Sequence, residues 1–225
     1  MFEWQAIILT LNLALTTTVI LVVISLPLSW WLANSQNYWV TFVESIVTLP
    51  LILPPTVLGY YLLVLLAPDS LLGGAAEVLL GSPLVFTFQG LVIGSVIYSL
   101  PFVVQPVRDG FQAIDPKLLE AAKSLGANRW QIWWRIILPL TAPMICTGAI
   151  LGFAHTLGEF GVVLLIGGNI PGETRVISIA LFDYVETLQM DKANALAALM
   201  LMFSFTILMV VNTLRARFNR QYQRH

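Results

Sequence analysis

The chain has 225 residues, of which 58% are hydrophobic and 10% are charged, and its formal net charge at pH 7 is -1. Soluble domains carry about 25% charged residues, so this chain has too few charges to cover a water-soluble globule. Five stretches contain no Asp, Glu, Lys or Arg, and each is longer than the roughly 20 residues that cross a bilayer as a helix. The composition therefore excludes a soluble protein and predicts an all-α, polytopic membrane protein. The charge-free stretches are 4–43, 45–68, 78–107, 136–158 and 193–214.

These stretches predict five transmembrane helices in a single domain that covers the whole chain. The first has Trp4 before it and two tryptophans near its end, and tryptophan favours the two membrane interfaces. The second contains Pro50, Pro54 and Pro55, which leave backbone carbonyl groups that lipid cannot satisfy. We therefore expect the second span to face either neighbouring helices or a water-filled path. The predicted spans are 7–33, 46–66, 84–107, 138–166 and 193–214, within a domain of residues 1–225.

The connections between the spans have different predicted structures. Residues 67–83 are predicted to form a short loop, because they are rich in Gly, Pro and other turn residues. Residues 167–192 are predicted to form an outer loop, in which Ser178–Phe182 can form a short re-entrant or interfacial helix.

The basic residues predict the orientation of the chain in the membrane. Nine of the eleven Lys and Arg residues fall either in the connection 108–135 or in the tail after Leu214, and five spans place both on one side. The positive-inside rule assigns that side to the cytoplasm. We therefore expect the N-terminus outside and the C-terminus in the cytoplasm. The nine residues are Arg108, Lys117, Lys123, Arg129, Arg135, Arg215, Arg217, Arg220 and Arg224.

The basic connection has local signals for two short helices. Asp115 is a favourable N-cap, and Pro116 occupies the first helical position after it. Gly126 is suited to a left-handed C-cap, and Asn128 to the start of a second helix. The first helix is predicted to have a small apolar face that needs another surface to pack on. This face consists of Leu118, Ala121, Ala122 and Leu125.

The same connection resembles the EAA loop of bacterial ABC importer permeases. The matching pattern is Glu120-Ala121-Ala122, three residues, Gly126, nine residues, and then Ile136-x-Leu138-Pro139. The resemblance implies the type I ABC importer permease fold, with a cytoplasmic coupling helix in the loop 108–139 that docks into a groove of a separate ATPase. The residues to which it gives a coupling role are Asp115, Leu118, Leu119, Glu120, Ala121, Ala122, Leu125, Gly126, Ile136, Leu138 and Pro139.

The resemblance also implies partners and a location. The chain contains no Gly-x-x-x-x-Gly-Lys-[Ser/Thr] motif, so it lacks a phosphate-binding loop of its own. We therefore expect a transport subunit that is not an enzyme and binds no cofactor, with ATP and Mg²⁺ on the partner ATPase. The implied assembly is a homodimer with two ABC ATPase subunits and an extracytoplasmic binding protein, in the bacterial cytoplasmic (inner) membrane.

Three further segments resemble permeases for oxyanions. Residues 49–60 and 152–161 are similar to the second and fourth core helices of this family. Residues 168–175, Gly-Asn-Ile-Pro-Gly-Glu-Thr-Arg, are similar to molybdate permeases in particular. The resemblance implies molybdate as the substrate, taken from a molybdate-binding protein, and leaves sulfate, thiosulfate and tungstate open. The family usually has Arg where this chain has His155, which puts in doubt a fixed positive charge there.

A few residues are candidates for the translocation pathway. His155 and Glu159 are expected four residues apart on one helical face, either beside the path or in a hydrogen bond between helices. We expect no metal site, since two ligands fall short of a common coordination set. Arg175 is either an exposed loop charge or a contact for the anion or the binding protein. The pathway candidates are Pro54, Pro55, Gly59, His155 and Glu159.

Three other classes of function fit the sequence less well. An ion-coupled secondary transporter predicts inverted repeats and several intramembrane ionisable groups, whereas the sequence has one such pair and no visible repeat. A membrane enzyme requires a convergent set of catalytic groups, and the chain has two histidines, one of them His225. Trp130, Trp133 and Trp134 are typical of a membrane interface, so no nucleic-acid partner is expected.

Overall fold

The computed structural model describes residues 3–222, without the side chains of 210–212 and 214–222. The described residues form helices and no strand, which confirms the predicted all-α class. The side chains of Arg215, Arg217 and Arg220, and all of Arg224 and His225, lie outside the described part. The helices are α1 (Trp4–Asn34), α2 (Tyr38–Thr48), α3 (Pro55–Leu66), α4 (Leu71–Leu80), α5 (Phe88–Gln112), α6 (Pro116–Ser124), α7 (Arg129–Ile132), α8 (Leu138–Gly158), α9 (Gly161–Gly167), α10 (Ile177–Glu186) and α11 (Met190–Tyr222).

Helices α1, α5 and α8 pack against one another and form the centre of the molecule. Leu21 of α1 and Val103 of α5 are fully buried there. Small residues let the backbones approach: a Cβ atom at Gly152 of α8 would lie 2.6 Å from Cγ2 of Val103. Such close packing holds helices together in lipid, where apolar burial alone gives no advantage.

The structure is that of a multi-pass membrane protein. Among residues 3–222, four helices are long and apolar enough to cross a bilayer, and there is a fifth possible span if one bent pair of helices is counted as a single span. The four are α1, α5, the segment from Arg129 to Gly158, and the part of α11 up to Met209. Beyond Leu196, the described side chains of α11 are mostly exposed and apolar, as expected for a lipid-facing helix.

The second predicted span, 46–66, is wrong as a single uninterrupted helix. Helix α2 continues as a 3₁₀ turn, Leu49–Leu51, and α3 begins at Pro55, with an angle of 112° between the two apolar segments. Pro54 has ψ of 136°, which ends the helical path, and neither Pro54 nor Pro55 can donate a backbone hydrogen bond. The prolines therefore break the segment rather than merely curve it.

The fourth predicted span, 138–166, is also interrupted. Helix α8 ends at Gly158, and Glu159 is extended, with ψ of 133°. Phe160 follows in a non-helical conformation before α9 begins at Gly161. Glycines on both sides of the break lower the helix propensity of this segment. The expectation that His155 and Glu159 share one helical face is therefore wrong.

The connection 67–83 is a helix rather than the predicted loop over most of its length. Ser70 caps α4 by accepting a hydrogen bond from the Gly73 N–H at 2.8 Å, and Gly81 ends it with φ of +75°. Gly73, which suggested a turn, lies inside this helix. Only a glycine fits there, because a Cβ atom would be 2.0 Å from the carbonyl oxygen of Ala67.

Two other boundaries differ from the sequence predictions. The third predicted span was 84–107, whereas α5 begins at Phe88 and continues to Gln112. The connection predicted to start at residue 108 therefore starts after Gln112. The short helix expected at Ser178–Phe182 is present within the longer α10, whose first backbone N–H, that of Ile177, donates to Oγ1 of Thr10 at 2.9 Å. This bond ties α10 to α1.

Candidate functional site

The predicted short helix of the basic connection is present as α6. The side chain of Asp115 accepts a hydrogen bond from the Lys117 N–H at 2.9 Å, and Pro116 is the first helical residue. Gly126 has φ of +84°, and its N–H donates to the carbonyl of Lys123 at 2.9 Å. Both the N-cap and the left-handed glycine are where the sequence predicted them.

A second helix links this turn to the membrane core. Asn128 and Gln131 form a capping box, with hydrogen bonds of 2.8 and 3.0 Å, at the start of α7. The chain then continues through a π-helical turn, Trp133–Ile137, directly into α8. The Trp133 ring lies 5.0 Å, centroid to centroid, from that of Trp30 at the end of α1. A displacement of α6 can therefore be transmitted to α8 and α1.

The candidate coupling residues divide into outward-facing and inward-facing groups. Leu118 is 44% exposed and Leu125 is 89% exposed. Ala122 is buried and Leu119 packs against the same core cluster, which also contains Phe111. Leu119 and Ala122 thus hold α6 against its own chain, and the outward residues are left for a partner. The outward group also contains Glu120, Ala121, Gly126 and Pro139, while Ile136 and Leu138 are partly buried.

The polar residues of α5 and α8 form a contact that the sequence did not reveal. Nδ1 of His155 lies 2.9 Å from Oγ of Ser99, and this hydroxyl lies 3.1 Å from Oγ1 of Thr156. The imidazole also stacks on Phe102, with ring centroids 3.9 Å apart. For His155 the structure therefore shows the second expected alternative, a hydrogen bond between helices, with Ser99 of α5 as the partner.

Glu159 lies in the break between α8 and α9 and is 4% exposed. Its backbone carbonyl accepts a hydrogen bond from Oγ of Ser178 on α10 at 2.6 Å. Neither carboxylate oxygen forms a hydrogen bond of normal geometry within the described residues, although the Ser95 hydroxyl is close enough to interact. The structure thus separates the two polar candidates, with Glu159 enclosed by its own chain.

The breaks in the two interrupted segments meet where α3 packs on α9. A Cβ atom at Gly161 would lie 2.7 Å from Cβ of Pro55, and one at Gly59 would lie 3.1 Å from Cα of Val162. Pro54, at the bend itself, is exposed. Of the pathway candidates, Pro55 and Gly59 therefore position α9, and Pro54 lies on the surface of the chain.

Arg175 forms ion pairs that join three parts of the chain. Its Nη2 lies 2.8 Å from Oδ2 of Asp183 on α10 and 3.8 Å from Oε1 of Glu3, which precedes α1. The Tyr184 hydroxyl donates to Oε1 of Glu3 at 2.5 Å, and this bond, together with burial, raises the pKa of Tyr184. These contacts give Arg175 a structural role, and contact with an anion or a binding protein stays a prediction.

Sequence reasoning missed the ion pair between Arg108 of α5 and Glu44 of α2. A signal for it existed, because Glu44 alone separates two long charge-free stretches. A lone carboxylate in such surroundings usually has a partner. Arg175, Glu3 and Asp183 offered no comparable signal, since they are far apart in sequence and lie outside the apolar stretches.

Among the residues that the structure describes, no group of three or more His, Cys, Asp or Glu side chains could hold a metal ion.

Known transport proteins are similar to this chain in sequence. Residues 25–224 match the family described as binding-protein-dependent transport system inner membrane component. The chain is 49% identical over 213 residues to the molybdenum transport system permease protein ModB of Azotobacter vinelandii, covering 95% of this chain and 94% of that protein. It is 36% identical over 185 residues to ModB of Escherichia coli K12, covering 82% and 81% of the two chains.

Solved structures are similar in fold at low sequence identity. A bacterial ABC transporter involved in the import of the acidic polysaccharide alginate matches with a TM-score of 0.75 and 20% identity, over 95% of this chain and 78% of that chain. The MetNI methionine ABC transporter, in an inward-facing conformation, matches with a TM-score of 0.71 and 18% identity, over 96% and 95%.

Proposed function

This chain belongs to the family of binding-protein-dependent transport system inner membrane components, and we propose that it is the membrane-spanning subunit of an ATP-driven importer for molybdate. Its fold is the type I ABC importer permease fold, as the sequence predicted. It is a transport subunit rather than an enzyme, and ATP hydrolysis belongs to a separate subunit.

The observation that carries this proposal is the exposed surface of α6, a helix that packs on the core of its own chain. Leu118 and Leu125 present apolar surface on α6, whereas Leu119 and Ala122 fix the same helix to the core. Apolar side chains on a helix beside a membrane core fit a groove on a partner protein. The occupant that we propose is the ATPase subunit, with Glu120 pairing with one of its basic or polar groups.

The proposed assembly contains two copies of this chain, two ABC ATPase subunits and an extracytoplasmic molybdate-binding protein. ATP and Mg²⁺ bind to the ATPases, and their closure brings the two coupling helices together. The motion passes from α6 through the capped α7 and the π-helical turn into α8. Because α8 packs on α5 and α1, the whole central group moves and the dimer changes from inward-open to outward-open.

The proposed location is the bacterial cytoplasmic membrane, with the N-terminus outside and the C-terminus in the cytoplasm. Support comes from the five basic residues between Arg108 and Arg135, which surround the coupling helix. In this orientation Glu3, Arg175 and Asp183 lie on the outer side, where the binding protein would dock.

Substrate selection is proposed to depend mainly on the binding protein. The charge-free spans contain no basic cluster that could hold a dianion by itself. The pathway is proposed to run beside the two breaks, where Pro55 and Gly59 adjoin α9 and Pro54 is exposed at the bend. His155 and Glu159 lie on the neighbouring segment. Backbone that is not helical is tolerated at membrane depth only where protein or a water-filled cavity surrounds it.

Competition for uptake tests the choice of oxyanion. Cells that express this chain with its ATPase and binding protein are expected to accumulate labelled molybdate even when sulfate or thiosulfate is in large excess. Tungstate, whose size and charge resemble those of molybdate, is expected to compete. Abolition of the uptake by sulfate would instead assign the chain to a sulfate permease and leave the importer architecture standing.

A further inference from the structure

Glu159 lies beside the proposed pathway, but the proposed transport cycle gives its ionisable carboxyl group no role. Its carboxylate oxygens are buried and form no hydrogen bond to the described residues. No Lys or Arg nitrogen of the described residues lies within 4.0 Å of it, since the ion pairs found there involve only Arg108 and Arg175. The chain itself encloses the group, so a second copy of the chain does not reach it in this conformation.

Among the described residues, the polar groups close to Glu159 come from α5 and α10, and none of them is a fixed cation. Helix α5 contributes the Ser95 hydroxyl, which is fully buried and also forms no hydrogen bond to the described residues, and Tyr98 lies three residues further along the same helix. His155 of α8 is engaged elsewhere, with its Nδ1 2.9 Å from Oγ of Ser99. From α10, Ser178 binds the backbone of Glu159 and so fixes the main chain of the break.

A carboxylate enclosed without a cation or hydrogen-bond donors is far more costly than the neutral acid. We infer that Glu159 is a proton-binding site within the membrane domain. Its carboxyl group holds a proton, and a small rotation of the side chain would let the neutral acid donate a hydrogen bond to the unpartnered Oγ of Ser95 on α5.

This inference rests on the proposed function and deepens it, because its consequence concerns the passage of a dianion. A protonated Glu159 places no negative charge beside the break, so an oxyanion that moves past α9 is not repelled. Loss of the proton would create a buried negative charge at that point. Transport is therefore supported by the neutral form of Glu159 and falls when the proton is removed at alkaline pH.

Infrared spectroscopy of the purified complex tests the proton directly. At neutral pH the wild-type complex is expected to show the carbonyl stretch of a protonated carboxylic acid, and Glu159→Gln is expected to lack that band. Absence of a difference between the two spectra would overturn the inference, whatever the transport result.

Uptake as a function of pH tests the consequence for transport. Glu159→Gln keeps a neutral side chain of similar shape, so the ratio of its uptake to that of the wild type is expected to rise as the pH becomes alkaline. Glu44→Gln is the matched control, because Glu44 is ion-paired with Arg108, and its ratio is expected to stay flat. Glu159→Leu removes the polar group that could pair with the buried Ser95 hydroxyl, and a decrease in uptake of about 5- to 10-fold is expected.

The outcomes separate this inference from the proposed function. Loss of uptake in Glu159→Gln at every pH, with the protein present in the membrane and the wild type active, would show that the charged form is required and would overturn the inference alone. A wild-type complex that imports no molybdate would instead contradict the proposed function.

Discussion

Gly126→Val is expected to reduce ATP-driven uptake about tenfold or more, while the protein remains inserted in the membrane. The residue has φ of +84° at the end of α6. A left-handed conformation costs a residue with a side chain about 1–2 kcal/mol, and a β-branched one more. Relief of that strain redirects the chain between α6 and α7, so the exposed face of α6 no longer matches the ATPase groove. Uptake, membrane content and ATP hydrolysis by the complex should be measured together.

Gly81 supplies the matched control for this substitution. It has φ of +75° at the end of α4, and, as at Gly126, a Cβ atom would meet no described atom within 4 Å. Gly81→Val therefore carries a similar backbone strain away from the coupling helix and is expected to transport close to the wild-type rate. Gly126→Asn is expected to lie between wild type and Gly126→Val, because asparagine tolerates this conformation better. Full uptake by Gly126→Val would contradict the coupling role of the turn.

Gly161→Val is expected to reduce uptake about tenfold or more and to lower the thermal midpoint of the purified protein. Its Cβ atom would lie 2.7 Å from Cβ of Pro55 and 3.4 Å from backbone atoms of Pro55 and Thr56. Overpacking of this kind costs about 1–3 kcal/mol, and the backbone of α3 cannot move aside as a flexible side chain would. Helix α9 is therefore displaced from α3 where the two breaks meet.

Gly158→Ala is the matched control for the packing of α9. Gly158 lies on the other side of the same break, and a Cβ atom there would meet no described atom within 4 Å. We expect this variant to be as stable as the wild type or slightly more stable, because alanine favours the end of α8. If Gly161→Val and Gly158→Ala behave alike, close packing between α3 and α9 does not determine transport.

Helix α6 was predictable because its sequence signals are local. Asp115, Pro116, Gly126 and Asn128 each act on the backbone within a few residues, so their spacing alone defines α6, the turn and the start of α7. The long apolar helices were predictable for a similar reason, since a charge-free stretch of sufficient length has few alternatives to a helix in lipid.

The breaks and the polar contacts were only partly predictable. The density of prolines in the second span indicated backbone groups in need of partners, but not the bend of 112°. The sequence prediction continued one helix through Gly158 and so placed His155 and Glu159 on one face, whereas α8 ends at Gly158 and Glu159 is extended. The close packing of Gly161 against Pro55 is a tertiary contact that the sequence did not indicate. Contacts such as that of Arg108 with Glu44 depend on how helices pack, which local signals do not specify.

We propose that this chain imports molybdate through coupling to a separate ATPase. The most direct test is accumulation of labelled molybdate by proteoliposomes that contain the chain and its ATPase, with the binding protein on the outer side and ATP on the ATPase side. Accumulation is expected to require ATP, the ATPase and the binding protein. Accumulation that persists without the ATPase, driven by an ion gradient, would contradict it.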